Sequence, residues 1–260
     1  MELDYEYFKR EVYKITQIDL NAYKEKQMKR RIDTLILRHH LTGYESFVSC
    51  LKNDKEVLEE FVNYLTINVS EFYRNPDQWR ILEKDIIPLL SERFGSGIKI
   101  WSAACSTGDE PYTLAMVFSD KPGRSDFSIY ATDIDKQVLD QAKSGIYPKK
   151  ALSDLPKEYK DKYFSTENDA TFKVDPSLRK YIRFEKHNLL LDPFPKNQHL
   201  IVCRNVLIYF TEEAKEAIFE KFYDSLAPGG VLFLGSTEQM INYKKIGYER
   251  KASFFFEKPL

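Results

Sequence analysis

Seven consecutive residues with little or no side-chain bulk, Ser102-Ala103-Ala104-Cys105-Ser106-Thr107-Gly108, lie between an apolar run and the acidic pair Asp109-Glu110. A backbone that must touch a ligand needs such a stretch. A strand running through it into a helix N-terminus is where nucleotide-like ligands bind in open α/β sheets. The same residues would also make an ordinary tight connection, and only one glycine of a G-x-G-x-x-G pattern is present. A further acid, Asp133, follows 25 positions after Gly108, closing the apolar run FSIYATD. Dinucleotide and nucleoside folds place the carboxylate that binds ribose hydroxyls there. Asp133 or Asp135 could equally cap the helix that follows. Taken together, strand, small-residue turn and acid point to a nucleoside-containing cofactor.

The elements that must hold these residues follow from periodicity. From Ile98 onward strands and helices alternate, which predicts a parallel sheet. IKIWSA leads into a helix from Glu110 to Phe118, FSIYAT into one from Lys136 to Ser144, and HLIVCRN into one from Thr211 to Leu226. Ala227-Pro228-Gly229-Gly230 then turns into VLFLG, and GYERKASFFFEKP reads as a closing β-hairpin. Residues 147–187 interrupt the alternation; Phe172, Val174, Tyr181, Ile182 and Phe184 around Asp175-Pro176 suggest a small antiparallel sheet set into the larger one. Upstream, residues 1–70 read as helical throughout, with Tyr5, Phe8, Val12 and Ile15 on one face and Met28, Ile32, Leu35 and Ile36 on another. Asn75-Pro76 opens a helix that runs from Asp77 to Phe94 and ends at Gly95-Ser96-Gly97. The fold class is therefore α/β, a Rossmann-like doubly wound sheet with a C-terminal antiparallel strand. A small all-α domain (1–70) precedes the cofactor-binding domain (71–260), which carries the 147–187 insertion.

Composition narrows the class of protein. In 260 residues, 43% hydrophobic and 14% aromatic content is ample for a core. The net charge of −1 leaves affinity for charged partners to local patches. One such patch lies between Ala22 and His40, where six Lys/Arg against two acids leave a balance of +4. Lys24, Arg31 and Arg38 there recur every seven residues, on one stripe. A charge run of this kind is either a solvated helix face or a docking surface for an acidic partner. Cys50, Cys105 and Cys203 have no metal-ligand spacing and fit reduced thiols. No signal peptide and no run long enough to span a bilayer is expected, which points to a soluble, cytoplasmic protein.

Two chemistries compete for the nucleoside site. A nicotinamide dehydrogenase would want more glycines in the turn and a catalytic His, Tyr-Lys or Cys downstream. A methyltransferase using S-adenosylmethionine tolerates the looser turn, and adds a Pro-Gly-Gly turn and an edge hairpin such as LAPGGVLFLG and ERKASFFFEK. At this point VSEFYRNP (69–76), IWSAACSTGDEPYTLAM (100–116), YATDIDKQVLDQAKSGIY (130–147), HNLL (187–190) and CRNVLIYF (203–210) become specific. In order and content they resemble the CheR-type chemotaxis receptor methyltransferases of the class I S-adenosylmethionine superfamily.

That resemblance implies methyl transfer to glutamate carboxylates on the cytoplasmic methylation helices of chemoreceptors, with S-adenosylhomocysteine as product. It implies cofactor contacts at Asn68, Ser70, Arg74, Glu110, Asp133, Asn188, Leu189, Arg204 and Asn205, and puts Arg74 and Tyr209 beside the transferred methyl. No metal is implied. In its light the stripe of Lys24, Arg31 and Arg38 becomes a receptor-docking surface. STENDAT (165–171) carries no glycine where some relatives grip a receptor's C-terminal pentapeptide, so docking independent of such a tether is expected, by a monomer. Nucleic acid is not expected as substrate, because CRNVLIYF lacks the prolines of amino-methyltransferase motifs and the chain is not strongly basic. The rival is a catalytically silent S-adenosylmethionine-binding adaptor in a signalling pathway.

Overall fold

The computed structural model describes residues 2–120 and 126–260. The chain divides into two compact units, Met1–Asn68 with Tyr209–Ala217, and Val69–Ile208 with Ile218–Leu260.

The first unit is built from α1 (Glu2–Thr16), α2 (Glu25–Arg38), α3 (Tyr44–Asn53) and α4 (Lys55–Thr66). Each helix buries one stripe at three- and four-residue spacing: Tyr5, Phe8 and Val12; Met28, Ile32, Leu35 and Ile36; Phe47, Val48 and Leu51; Phe61 and Leu65. Ile15, expected on the first stripe, is only half-buried. Phe8 is the hub, with rings of Tyr44, Phe47 and Phe61 within 6.1 Å of its centroid. The recruitment of residues 209–217 into this unit has a local cause. Tyr23 and Phe210 form an antiparallel bridge, the Lys24 N–H donates to the Tyr209 carbonyl at 2.9 Å, and the Thr211 N–H donates to the Ala22 carbonyl at 2.8 Å.

The second unit opens with α5 (Pro76–Ile81), a π-helical turn (Leu82–Ile86) and α6 (Ile87–Phe94). The periodicity predicts one unbroken helix here. Pro88 has no N–H to continue an α ladder, and the π turn just ahead of it absorbs the missing bond. There follow β1 (Ile98–Ala103), α7 (Asp109–Ser119), β2 (Phe127–Asp133), α8 (Lys136–Ser144), β3 (Ile146–Pro148), α9 (Lys157–Tyr163), β4 (Phe164–Asn168), β5 (Thr171–Val174), α10 (Pro176–Arg179) and β6 (Ile182–Lys186). The chain continues through β7 (Gln198–Cys203), α11 (Glu212–Ser225), β8 (Leu226–Leu234), α12 (Tyr243–Ile246), β9 (Glu249–Ala252) and β10 (Phe255–Glu257).

A seven-stranded sheet forms with the order β6-β2-β1-β7-β8-β10-β9. The first five strands are parallel, while β10 runs antiparallel to β8 and β9. β1, β7 and β8 are buried along nearly their whole length, as a sheet covered on both faces requires. Trp101 fills the centre of one face: its indole N–H donates to Thr132 Oγ1 at 2.9 Å, and Phe194, Phe222 and His187 pack edge-on against it.

Two sequence expectations are corrected. Tyr181, Ile182 and Phe184 do not belong to the small antiparallel sheet, which is β3-β5-β4 alone; β6 instead extends the large sheet, pairing in parallel with β2 from Ile129↔Ile182 to Asp133↔Lys186. Alternation within a strand names its period and not its partner. Ala227-Pro228-Gly229-Gly230 is a bulge inside β8, not a turn before it, since both Leu226 and Val231 pair with β7. A Cβ on Gly230 would stand 2.8 Å from the Gln198 carbonyl, so that close approach needs glycine.

Candidate active site

The parallel strands end together at one edge, and the order of the sheet reverses between β1 and β7. Open α/β sheets bind ligands at that switch point. The turn after β1 crosses it in strained backbone, with Ala104 at φ 64°, Ser106 at φ 48° and Gly108 at φ 92°. Gly108 has no room for a side chain: a Cβ would meet the Ala142 Cβ at 2.7 Å and the Tyr147 hydroxyl at 2.9 Å. That hydroxyl donates to the Thr107 carbonyl at 2.7 Å and pins the turn from outside.

Asp133 and Asp135 divide the two tasks the sequence left open. Asp135 is the cap of α8, its carboxylate accepting the Gln137 N–H at 2.8 Å. Asp133 reaches across to the turn and accepts the N–H groups of Ser106 at 2.8 Å and Asp135 at 3.0 Å. Burial lifts its pKa to about 6, against those backbone donors. Beside it, the Ser106 hydroxyl is buried without a partner among the described residues. The His187 N–H donates to the Asp133 carbonyl at 2.9 Å, which sets Asn188 and Leu189 next to the end of β2. Both are buried, and the Asn188 side-chain oxygen holds the Leu190 N–H at 3.0 Å.

Glu110 sits one residue inside α7 with a side chain only 13% exposed. Its carboxylate accepts from the Ser102 hydroxyl at 2.7 Å and lies 3.8 Å from the Arg204 guanidinium. Burial, helped by the negative charge of Glu238, raises its pKa to about 7; Arg204, Ser102 and Arg74 pull the other way without winning. Asp109 is occupied structurally, since Thr107 Oγ1 donates to it at 2.5 Å and the Ser70 hydroxyl bonds to it as well. Arg204 leaves β7 and turns back on the 74–78 segment, donating to the Arg74 carbonyl at 2.8 Å, Asn75 Oδ1 at 3.1 Å and Gln78 Oε1 at 2.8 Å. Within this unit, Ser70, Arg74, Glu110, Arg204 and Asn205 thus converge near the switch point, with Asp133, Asn188 and Leu189 one and two strands away.

The chain is similar in sequence to known proteins. The SAM-binding domain of the CheR methyltransferases matches residues 68–254, and the all-alpha domain of the same proteins matches residues 3–66. The chain belongs to the CheR methyltransferase family. It is 43% identical over 258 residues to a chemotaxis protein methyltransferase of Listeria innocua, covering 99% of this chain and 98% of that one. Identity is 42% over the same length to a chemotaxis protein methyltransferase of Listeria monocytogenes, with the same coverage. To that of Borreliella burgdorferi it is 32% over 255 residues, covering 94% and 90% of the two chains. The chain is an S-adenosylmethionine-dependent methyltransferase of chemotaxis.

The residues present fit that cofactor. A dinucleotide would set a pyrophosphate against the start of α7, where Asp109 and Glu110 repel it. An ammonium group there would compensate the charge of Glu110, whose nearest cation stands 3.8 Å away. A carboxylate offers about four acceptor sites, so Asp133 can take ribose hydroxyls alongside its backbone donors. No group of three or more His, Cys, Asp or Glu suited to a metal ion exists among the described residues. No helix among them is long and apolar enough to cross a membrane.

Two of the sequence-derived residues, Asn68 and Tyr209, belong to the helical unit and not to the sheet unit. The Asn68 amide donates to Thr66 Oγ1 at 2.8 Å. Tyr209 ends the short 3-10 turn Leu207–Tyr209, its carbonyl accepting the Lys24 N–H. Of the basic stripe, Lys24 is exposed at the N-cap of α2, while the other two lean on α4. Arg31 donates to the Tyr64 carbonyl and lies 4.3 Å from that ring, and Arg38 pairs with Glu60 at 2.8 Å. Sequence reasoning missed Glu238. It is buried in the loop after β8, and its carboxylate accepts four backbone N–H groups, from Asn205, Val206, Leu207 and Gly235. A lone glutamate in a polar loop carries no local signal for this; the one hint is its place just after an apolar strand that ends in glycine.

Proposed function

We propose that this chain transfers the methyl group of S-adenosylmethionine to glutamate carboxylates on the cytoplasmic helices of methyl-accepting chemotaxis receptors. Glutamate methyl esters and S-adenosylhomocysteine are the products, and sensory adaptation is the purpose. When bound, S-adenosylmethionine supplies an electrophilic methyl on a sulfonium. Glu110 receives the ammonium of its amino-acid end, Asp133 the ribose, and Asn188 and Leu189 flank the adenine. Ser70, Arg74, Arg204 and Asn205 complete the contacts within the sheet unit.

The observation that carries the reading is a second guanidinium on the segment that Arg204 grips: Arg204 donates to the Arg74 carbonyl at 2.8 Å, and the Arg74 side chain donates to the Val69 carbonyl at 3.2 Å. A guanidinium there suits an incoming carboxylate, which it can hold in a two-pronged grip. A glutamate carboxylate is already ionised at pH 7, so the reaction needs alignment and no general base. Lys24, Arg31 and Arg38 are assigned to receptor docking. The β4-β5 hairpin supports docking without a C-terminal tether, because its turn is closed by Asn168 Oδ1 on the N–H groups of Ala170 and Thr171 and carries no glycine. The enzyme is proposed to act as a cytoplasmic monomer.

The test is transfer of labelled methyl to a receptor cytoplasmic fragment. Label released by mild alkali marks a carboxyl methyl ester and supports the reading. Tight cofactor binding with no transfer to any receptor fragment would instead make the chain a silent adaptor.

A further inference from the structure

We infer that Glu238 is a positioning residue of the active site: its buried carboxylate fixes the backbone leaving β7 so that Arg204 can hold both Arg74 and Glu110. Asn205 lies in left-handed backbone at φ 61°, which turns three successive N–H groups, those of residues 205–207, toward one point. Glu238 occupies that point. Oε2 accepts from Asn205 at 2.9 Å and Gly235 at 2.7 Å, and Oε1 from Val206 at 2.8 Å and Leu207 at 2.9 Å. Both ends of the carboxylate are thus spoken for by one loop and its own. Arg204 is the residue immediately before, and its three bonds to the 74–78 segment depend on where that loop starts. Gly235 is part of the device, since a Cβ there would stand 2.5 Å from Glu238 Oε2 and 3.0 Å from the Asn205 nitrogen.

A second consequence separates this role from simple loop packing. The negative charge of Glu238 opposes ionisation of Glu110. The groups facing Glu110 are Arg204, Arg74 and Glu238, with the Ser102 hydroxyl and the buried thiols of Cys105 and Cys203. Removing the Glu238 charge therefore shifts the protonation of Glu110 to lower pH, an effect that packing alone does not produce.

The inference rests on Glu110 as partner of the cofactor's ammonium, and the experiment keeps the two apart. S-Adenosylmethionine binding is titrated calorimetrically from pH 6 to 9 in wild type, E110Q, E238Q and G235A, with folding checked by circular dichroism. In E238Q an amide NH2 faces two backbone donors, so affinity falls about tenfold or more, and the acid limb of the pH profile moves to lower pH. G235A pushes the carboxylate off its donors but keeps the charge; affinity falls comparably while the limb stays near its wild-type position. A folded E238Q with wild-type affinity and an unmoved limb overturns the role of Glu238. An acid limb that survives undiminished in E110Q overturns the reading of Glu110 instead. Should E238Q fail to fold, amide exchange in the wild-type apo enzyme decides. Protection of Asn205, Val206, Leu207 and Gly235 is expected, and exchange of these amides at free-loop rates overturns the inference.

Discussion

Cofactor affinity should depend on pH with an acid limb set by Glu110. Its carboxyl titrates at about 7 in the free protein, chiefly because burial outweighs the attraction of Arg204 and the hydrogen bond of Ser102. An ammonium partner binds the ionised form. At pH 6 only about a tenth of the molecules carry that form, and at pH 7.5 about three quarters do. The cofactor's own α-amino group, with a reference pKa of about 7.8, loses its charge over the next unit. The product of the two fractions rises about sixfold from pH 6 to 7.5 and falls again toward pH 9, giving a bell centred near 7.4. Asp133, at about 6, steepens the acid side to about tenfold if it too must be ionised for the ribose. Isothermal calorimetry with S-adenosylmethionine measures this directly, and buffers of different ionisation enthalpy count the protons released. Replacing Glu110 by Gln should weaken binding at pH 7.5 and leave only the shallow limb of Asp133. Affinity that is flat from pH 6 to 7.5, or a full limb in E110Q, would refute the assignment.

Other outcomes follow from the same contacts. For stability, Glu110 contributes with the opposite sense: its folded pKa stands above the unfolded value of 4.5, so the contribution is fully present below about 4.5 and lost as pH rises through about 7. Denaturant melts of the apo enzyme should accordingly show up to about 3 kcal/mol more loss between pH 4.5 and 7.5 in wild type than in E110Q. G108A should destabilise by about 2–4 kcal/mol in denaturant melts, because its Cβ clashes with Ala142 and Tyr147 as well as straining the backbone. R74K keeps a charge but loses the two-pronged grip, and should lower kcat in the labelled-transfer assay about a hundredfold, more than it weakens cofactor binding. Reversing Lys24 to Glu should raise KM for the receptor fragment, more at low salt than at high, and leave cofactor affinity alone; an unchanged KM at low salt would remove Lys24 from the docking surface.

What the sequence disclosed and what it hid follow a physical division. The helical stripes around Phe8 and Ile32 could be read because burial repeats with the helix turn, and the turn after β1 because small residues there leave few other uses. Asp133 was legible as an acid at a strand end, but its division of labour with Asp135 was not, since both sit where either could cap α8. The partner of β6 was hidden because Tyr181, Ile182 and Phe184 have the same period in either sheet. Pro88 gave a sign that the helix before it must change its bonding, yet periodicity alone carried the helix straight through. Glu238 was out of reach: its four donors lie on Gly235 and, about thirty positions upstream, on residues 205–207, and nothing local in GSTEQM says so. Long-range polar contacts of this kind leave no periodic trace.

The most direct test of the account is to find where the methyl group goes. After incubation with S-adenosylmethionine and a chemoreceptor cytoplasmic fragment, peptide mapping by mass spectrometry should place it on glutamate side chains as an ester that mild alkali removes, with none transferred by the R74A variant. Methyl groups found on lysine, on arginine or on a small molecule, stable to alkali, would contradict it.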